Sequence, residues 1–134
     1  MMNKYAVDTN VLIYLHETIP SSKMDIAESI VLGFPIVSAQ VVSEYLNVLK
    51  RLLRIPKVPL IEHSIVLLEN CEIINLNKAI LEHAKKLIIR YDFQLFDSII
   101  IASALAANCS ILYSEDLQHK QLIENRLTII NPFL

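Results

Sequence analysis

Short runs rich in Ile and Val recur along this chain at residues 4–7, 35–38, 72–75, 110–114 and 127–130, with longer segments between them. Each run is bounded by polar or turn-forming residues, and its apolar character is continuous rather than alternating. That pattern suits strands covered on both faces of a parallel sheet. Several of the intervening segments carry helical spacing. The clearest, 40–54, gathers Val41, Val42, Tyr45, Leu46, Val48, Leu49, Leu52 and Leu53 into a broad apolar stripe, with Gln40, Glu44, Asn47, Arg51 and Arg54 on the other face. Ile55-Pro56 and Pro59 are expected to stop it. Residues 60–69, 77–91 and 97–107 also read as helices, and Asn108 is placed to end the last one in a left-handed conformation. Strands alternating with helices predict an α/β fold around a central, mostly parallel sheet.

The single glycine, Gly33, narrows the options further. A Rossmann fingerprint or a P-loop needs several glycines at fixed spacing, so both are excluded. An all-β fold with many tight turns is disfavoured for the same reason. A length of 134 residues predicts one domain spanning 1–134. Such a chain buries roughly two thirds of its unfolded surface and needs no disulfide or structural metal. The apolar fraction of 54% implies either a generous core or apolar surface reserved for a partner.

The longest apolar stretch, 98–113, is about 16 residues and is interrupted by Asn108, short of the roughly 20 that span a bilayer. The N-terminal MMNKYAVDTNVLIYL sets Asp8 where a signal peptide would be apolar and has no small-residue cleavage site. No membrane association and a cytoplasmic location are therefore expected. Cys71 and Cys109 lack CxxC spacing and read as reduced core residues. With a net charge of −2, nucleic-acid binding would need local basic patches or a metal ion.

Three acids fall at junctions between predicted elements. Asp8 directly follows the first run, Asp97 opens a helix and Asp116 follows the run 110–114. Ligands of open parallel sheets bind beyond the carboxyl ends of the strands, so Asp8 and Asp116 are expected at one edge. Glu44, in the second turn of its helix, can point back towards that edge. Four carboxylates in one cleft repel one another and need cations, and oxygen-only ligation favours Mg²⁺ or Mn²⁺ over zinc. Such ions activate water and stabilise the in-line displacement at a phosphodiester. Each acid alone also has an ordinary reading. Asp8, followed by Thr9 and Asn10, and Asp97 are good helix N-caps; Glu44 is a solvated helix-face residue; Asp116, beside Glu115, is a loop acid.

Basic residues form two clusters: Lys50, Arg51, Arg54 and Lys57, then Lys85, Lys86 and Arg90. Arg51, Arg54, Lys85, Lys86 and Arg90 are candidate RNA contacts through phosphate, with solvated helix-face charge as the plainer reading. The histidines, His16, His63, His83 and His119, show no mutual metal spacing and read as surface or partly buried residues, with His119, close after Asp116, the candidate to touch substrate.

The block YAVDTNVLIY at 5–14 resembles the opening of PIN-domain proteins, and of VapC-type ribonuclease toxins within that family. The likeness continues through VVSEYLNVL around Glu44, FDSIIIASALAANCSILYSEDL around Asp97 and Asp116, and the closing LTIINPFL. All four blocks occur in order over essentially the whole chain. The resemblance implies a three-layer α/β/α sandwich and a Mg²⁺- or Mn²⁺-dependent endoribonuclease acting through metal-activated water, leaving a 5′-phosphate and a 3′-hydroxyl. It implies Asp8, Glu44, Asp97 and Asp116 as catalytic, metal-binding residues, with Asn10 and Ser114 supporting them. It further implies an RNA substrate such as tRNA or rRNA, a cognate antitoxin, and a homodimer. The apolar, proline-containing segment 55–68 would serve dimer packing, antitoxin docking or the core.

This chain departs from the pattern at Ser114-Glu115-Asp116, where many relatives carry Thr and Asn around the final Asp. Glu115 is therefore a candidate to share or replace the role of Asp116. Asn108 stands where glycine is frequent, which affects only a helix end. Two rival readings stand beside the nuclease: a non-catalytic PIN-like module that binds RNA or protein, and a phosphohydrolase using Asp8 as nucleophile. The latter chemistry usually wants a second Asp two residues on, where this chain has Asn10.

Overall fold

The structure, a computed structural model, describes residues 4–134. Residues 1–3, part of both the N-terminal segment and the 1–134 span considered above, lie outside it. Strand β1 (Tyr5–Val7) leads into α1 (Thr9–Ile13), extended by a 3-10 turn at Tyr14–His16, and then α2 (Ser22–Leu32). Next come β2 (Ile36–Ser38), α3 (Ala39–Leu53), α4 (Lys57–Leu68), β3 (Glu72–Ile74) and α5 (Lys78–Tyr91). The chain continues through α6 (Leu95–Ala106), β4 (Ile111–Tyr113), β5 (Leu122–Ile123) and β6 (Leu127–Ile130). The strands form a six-stranded sheet in the order β3-β2-β1-β4-β6-β5, flanked by helices. Pairing is parallel throughout except between β5 and β6. This is the expected α/β architecture with a mostly parallel central sheet.

All five apolar runs form strands. The two-residue β5 was not expected, being too short to carry a period. Nor was α2, whose buried positions are only Ala27 and Val31, whereas α1, of five residues, is the helix that Asp8 was expected to cap on its ordinary reading. Helix α2 forms behind a Ser21 cap, whose Oγ accepts from the Met24 amide at 3.2 Å. Ser38 and Asn77 cap α3 and α5 in the same way.

Local stereochemistry shifts several expected boundaries. Helix α3 ends at Leu53, before the prolines, because Arg54 turns left-handed at φ 53°. Pro56 then becomes the N-cap of α4, and Pro59 sits in its first turn, where a missing N–H costs nothing. Helix α6 begins at Leu95, so Asp97 lies inside its first turn and is not the cap. Asn108 is left-handed at φ 61°, as expected, and the Cys109 amide closes the helix end on the Ala104 carbonyl at 3.0 Å.

Residues 98–105 of α6 are buried without a break, so this helix is apolar all round because protein surrounds it. No helix among the described residues is long and apolar enough to cross a membrane. Val7, Leu12, Tyr45, Leu49, Ile101, Leu112 and Ile129 are among the fully buried residues, and Cys71 and Cys109 are buried free thiols. The high apolar fraction also reaches the surface. Within 55–68, Leu60 is buried, whereas Val58, Ile61, Ile65 and Val66 are exposed.

Gly33 has a packing reason rather than a conformational one: a methyl group there would stand 1.8 Å from the Tyr5 hydroxyl. That hydroxyl donates to the Ile30 carbonyl at 2.6 Å, which ties the end of α2 to β1. Gly33→Ala should therefore lower stability by about 1–3 kcal/mol in denaturant unfolding. Adding Tyr5→Phe, which removes the clashing oxygen, should recover part of that loss.

Candidate active site

The chain runs from β1 outward to β2 and β3, then returns to place β4 on the other side of β1. That reversal opens a crevice at the carboxyl ends of β1 and β4, where open α/β sheets bind ligands. Register brings the first polar residues after the two strands together. Val7 pairs with Tyr113, and the Asp8 amide donates to the Tyr113 carbonyl at 2.9 Å. Asp8 and Ser114 are then neighbours, and Ser114 Oγ donates to Asp8 Oδ2 at 2.8 Å.

Asp8, Glu44, Asp97 and Asp116 all line one cleft of about 530 Å³, together with Asn10, Tyr14 and Asn47. Asp8 is buried and also caps α1, since its Oδ1 accepts from the Thr9 amide at 2.7 Å. Its capping role and its place in the cleft therefore coexist. Asn10 donates to Asp116 Oδ2 at 3.2 Å and to Asp8 Oδ2 at 3.5 Å, while its Oδ1 accepts from the Glu115 amide at 3.1 Å. Ser114 Oγ accepts from the amides of Asp116 and Leu117, each at 3.2 Å. Asn10 and Ser114 thus join the loop after β4 to Asp8.

Glu115, one residue from Asp116, is directed elsewhere. Its carboxylate accepts from the Tyr14 hydroxyl at 2.6 Å and from Lys23 Nζ at 2.7 Å. The ammonium first, and the hydroxyl second, hold it below the usual carboxylate range. Among the described residues no three His, Cys, Asp or Glu side chains stand close enough to hold an ion as they are. Glu44 accepts from the Thr9 hydroxyl at 2.8 Å, and Asp116 from Asn10, rather than turning to a common point.

Thr9, Tyr14, Asn47 and Lys23 went unread as site residues. Asn47 had a legible signal, since it lies one turn beyond Glu44 on the polar face of α3. Lys23 had none, because 92 positions separate it from Glu115. Arg51, Arg54, Lys85, Lys86 and Arg90 are exposed but do not line the cleft. His119 does not line it either; its Nδ1 accepts from the Asn131 amide at 2.9 Å. His16 and His63, distant in sequence, have ring centres 5.3 Å apart, and His16 Nε2 lies 2.6 Å from the hydroxyl of buried Tyr45.

Burial pushes Asp8 up from 3.8 to about 6, opposed by Ser114 and the Thr9 amide and reinforced by the charges of Glu44 and Asp97. Asp97 is also raised, by burial first and then by Glu44 and Asp116, despite the favourable helix dipole at its position. A raised folded-state value makes the contribution of Asp8 complete below its unfolded value and lost as pH rises through its folded value. In EDTA-treated protein, stability measured by denaturant unfolding should therefore contain an Asp8 component that falls between about pH 4 and 6. Asp8→Asn should remove it, so that the stability of the variant relative to wild type rises from pH 4 to neutral pH. Parallel pH profiles for the two proteins would contradict this.

The family model described as PIN domain matches residues 5–124. Among solved structures, a toxin–antitoxin complex from Klebsiella pneumoniae is similar at a TM-score of 0.71 and 21% identity, covering 96% of this chain and 97% of that one. VapBC-1 from nontypeable Haemophilus influenzae is similar at a TM-score of 0.69 and 22% identity, covering 97% and 98%. Mycobacterium tuberculosis VapC20, a sarcin-ricin-loop-cleaving toxin, is similar at 0.65 and 18%, covering 84% and 90%. These identities make the likeness one of fold, and no curated protein matches by sequence. With the family model spanning most of its length, this chain belongs to the PIN-domain family.

Proposed function

We propose that this protein is a Mg²⁺- or Mn²⁺-dependent endoribonuclease and the toxin of a type II toxin–antitoxin pair, acting in the cytoplasm as one domain. The observation that carries the reading is the convergence of Asp8, Glu44, Asp97 and Asp116, from four separated parts of the chain, on one cleft. An all-oxygen donor set fits a hard divalent cation. The upward push on Asp8 and Asp97 is what a cation there would relieve. Asp8, Glu44 and Asp97 would hold the ion, with Asp116 completing that site or a second one. Bound there, it supplies the positive charge that activates water and stabilises a phosphodiester under attack.

The remaining work falls to the chain itself. Ser114 and the Thr9 amide fix the orientation of Asp8. Thr9 Oγ1 steadies Glu44, and Asn10 steadies Asp116. Asn47 offers an amide to substrate beside Glu44. Arg51, seven residues beyond Glu44 on the same helical face, would take phosphate next to the cleft, with Arg54, Lys85, Lys86 and Arg90 as further RNA contacts. Structured RNA such as tRNA or rRNA is the substrate class, in line with the sarcin-ricin-loop-cleaving relative.

An antitoxin partner is supported by the complexes among the structural relatives. Exposed Val58, Ile61, Ile65 and Val66 on α4 offer apolar surface for it or for a second copy in a homodimer. The second reading, a non-catalytic module binding RNA or protein, draws on the carboxylates not being gathered at one point.

Purified protein should cut RNA in Mn²⁺ or Mg²⁺, leaving 5′-phosphate ends, and EDTA should stop it. Asp8→Asn, Glu44→Gln and Asp97→Asn should each lower kcat by roughly 100-fold or more. Binding of RNA without cleavage under either metal would favour the non-catalytic module. Cleavage that survives Asp8→Asn and Asp97→Asn would end the nuclease assignment to this cleft.

A further inference from the structure

Three groups from the N-terminal elements, Asn10, Tyr14 and Lys23, close on Glu115. Lys23 Nζ, from α2, lies 2.7 Å from Glu115 Oε2 and 3.0 Å from the Tyr14 hydroxyl, which itself donates to Glu115 Oε1 at 2.6 Å. The same ammonium stands 5.0 Å from the centre of the Tyr14 ring, whose edge meets Phe133 at 4.8 Å between ring centres. On the backbone side, the Glu115 amide donates to Asn10 Oδ1 at 3.1 Å. Residue 115 is therefore held by its side chain to α2 and the 3-10 turn, and by its main chain to α1. Asp116, the next residue, is exposed and has one side-chain partner, Asn10. Where its carboxylate sits depends on where residue 115 is fixed.

We propose that Lys23 is a positioning residue: through Glu115 and Tyr14 it fixes the loop that carries Asp116 at the acidic cleft. The proposal rests on reading that cleft as the nuclease site. A half-exposed ion pair, with Lys23 44% and Glu115 26% exposed, adds little to the stability of a fold whose core lies elsewhere. Geometry is what the triangle contributes. One cation with two acceptors, one of them the hydroxyl of the tyrosine that walls the cleft, leaves the loop little freedom. Charge supplies the second contribution. Without Lys23, Glu115 is an unneutralised carboxylate beside Asp116, held at its side chain by the Tyr14 hydroxyl alone. The clasp thus accounts for an acid at position 115 that does not line the site.

The test compares the full-length wild type with Lys23→Ala and Lys23→Arg by amide hydrogen exchange, by RNA cleavage in Mn²⁺, and by thermal unfolding. Lys23→Ala should speed exchange at the amides of Glu115, Asp116 and Leu117 by about tenfold, leaving Leu112 and Ile129 unchanged. It should lower kcat by about tenfold with KM unchanged and the unfolding midpoint nearly so. Lys23→Arg, which keeps the charge and its reach to the carboxylate, should restore most of both. Wild-type exchange or wild-type kcat in Lys23→Ala would overturn the proposal. So would a raised KM at unchanged kcat, which would mark Lys23 as a direct substrate contact. A wild type that cuts no RNA removes the nuclease reading and any catalytic role of the clasp, while the exchange data still decide whether Lys23 holds the loop.

Discussion

Parallel pairing of β1 with β4 is the constraint on which the rest of this protein depends. Ala6 opposite Leu112 and Val7 opposite Tyr113 set a register in which both strands end at the same level. The ladder then runs one bond further, from the Asp8 amide to the Tyr113 carbonyl. Because the side-chain period of a strand is two, a slip of one residue would exchange which side chains of β1 face each covering layer relative to β4, and would separate Asp8 from Ser114. Burial of both faces of the central strands makes that slip costly. The apolar packing that stabilises the sheet therefore also fixes the distance between the acid after β1 and the hydroxyl after β4.

The cleft sets charge against solvation. Asp8 is nearly out of water, and its hydrogen bonds to Ser114 and the Thr9 amide offset only part of the desolvation, so its proton is held into the range near pH 6. Asp97 shows the same balance at the start of α6, where the helix dipole favours an anion but burial and neighbouring acids outweigh it. These acids ride on packed elements: α6 is buried from Ser98 to Leu105, and α3 is anchored by Tyr45 and Leu49. The repulsion is thus not released by movement of the backbone. The proposed cation is one way that repulsion would be relieved.

Much of this was legible along the chain, because strands in a doubly covered sheet must be short and apolar and a packed helix must repeat its apolar face. The five runs, the stripe on α3 and the left-handed Asn108 all follow from such local rules. Helix α2 escaped because it buries few side chains and shows no period, while α1, only five residues long, was legible through the Asp8 cap alone. The start of α6 moved because Gln94 begins the helix without a side-chain cap, leaving Asp97 inside rather than at its end. Asn10 and Ser114 each donate a hydrogen bond to Asp8.

The acids at the element ends were where the chain alone was ambiguous, since an aspartate after a strand has the same sequence whether it caps a helix or lines a cleft. Asp8 does both. Sequence by itself determined the alternation of elements, the α/β class and the acids available at the strand ends, since these depend on neighbours a few residues apart. Tertiary structure alone decided that Asp116 lines the cleft while Glu115 turns to Lys23, and that Thr9 takes Glu44. Those outcomes rest on contacts between residues as many as 92 positions apart, which no local pattern encodes.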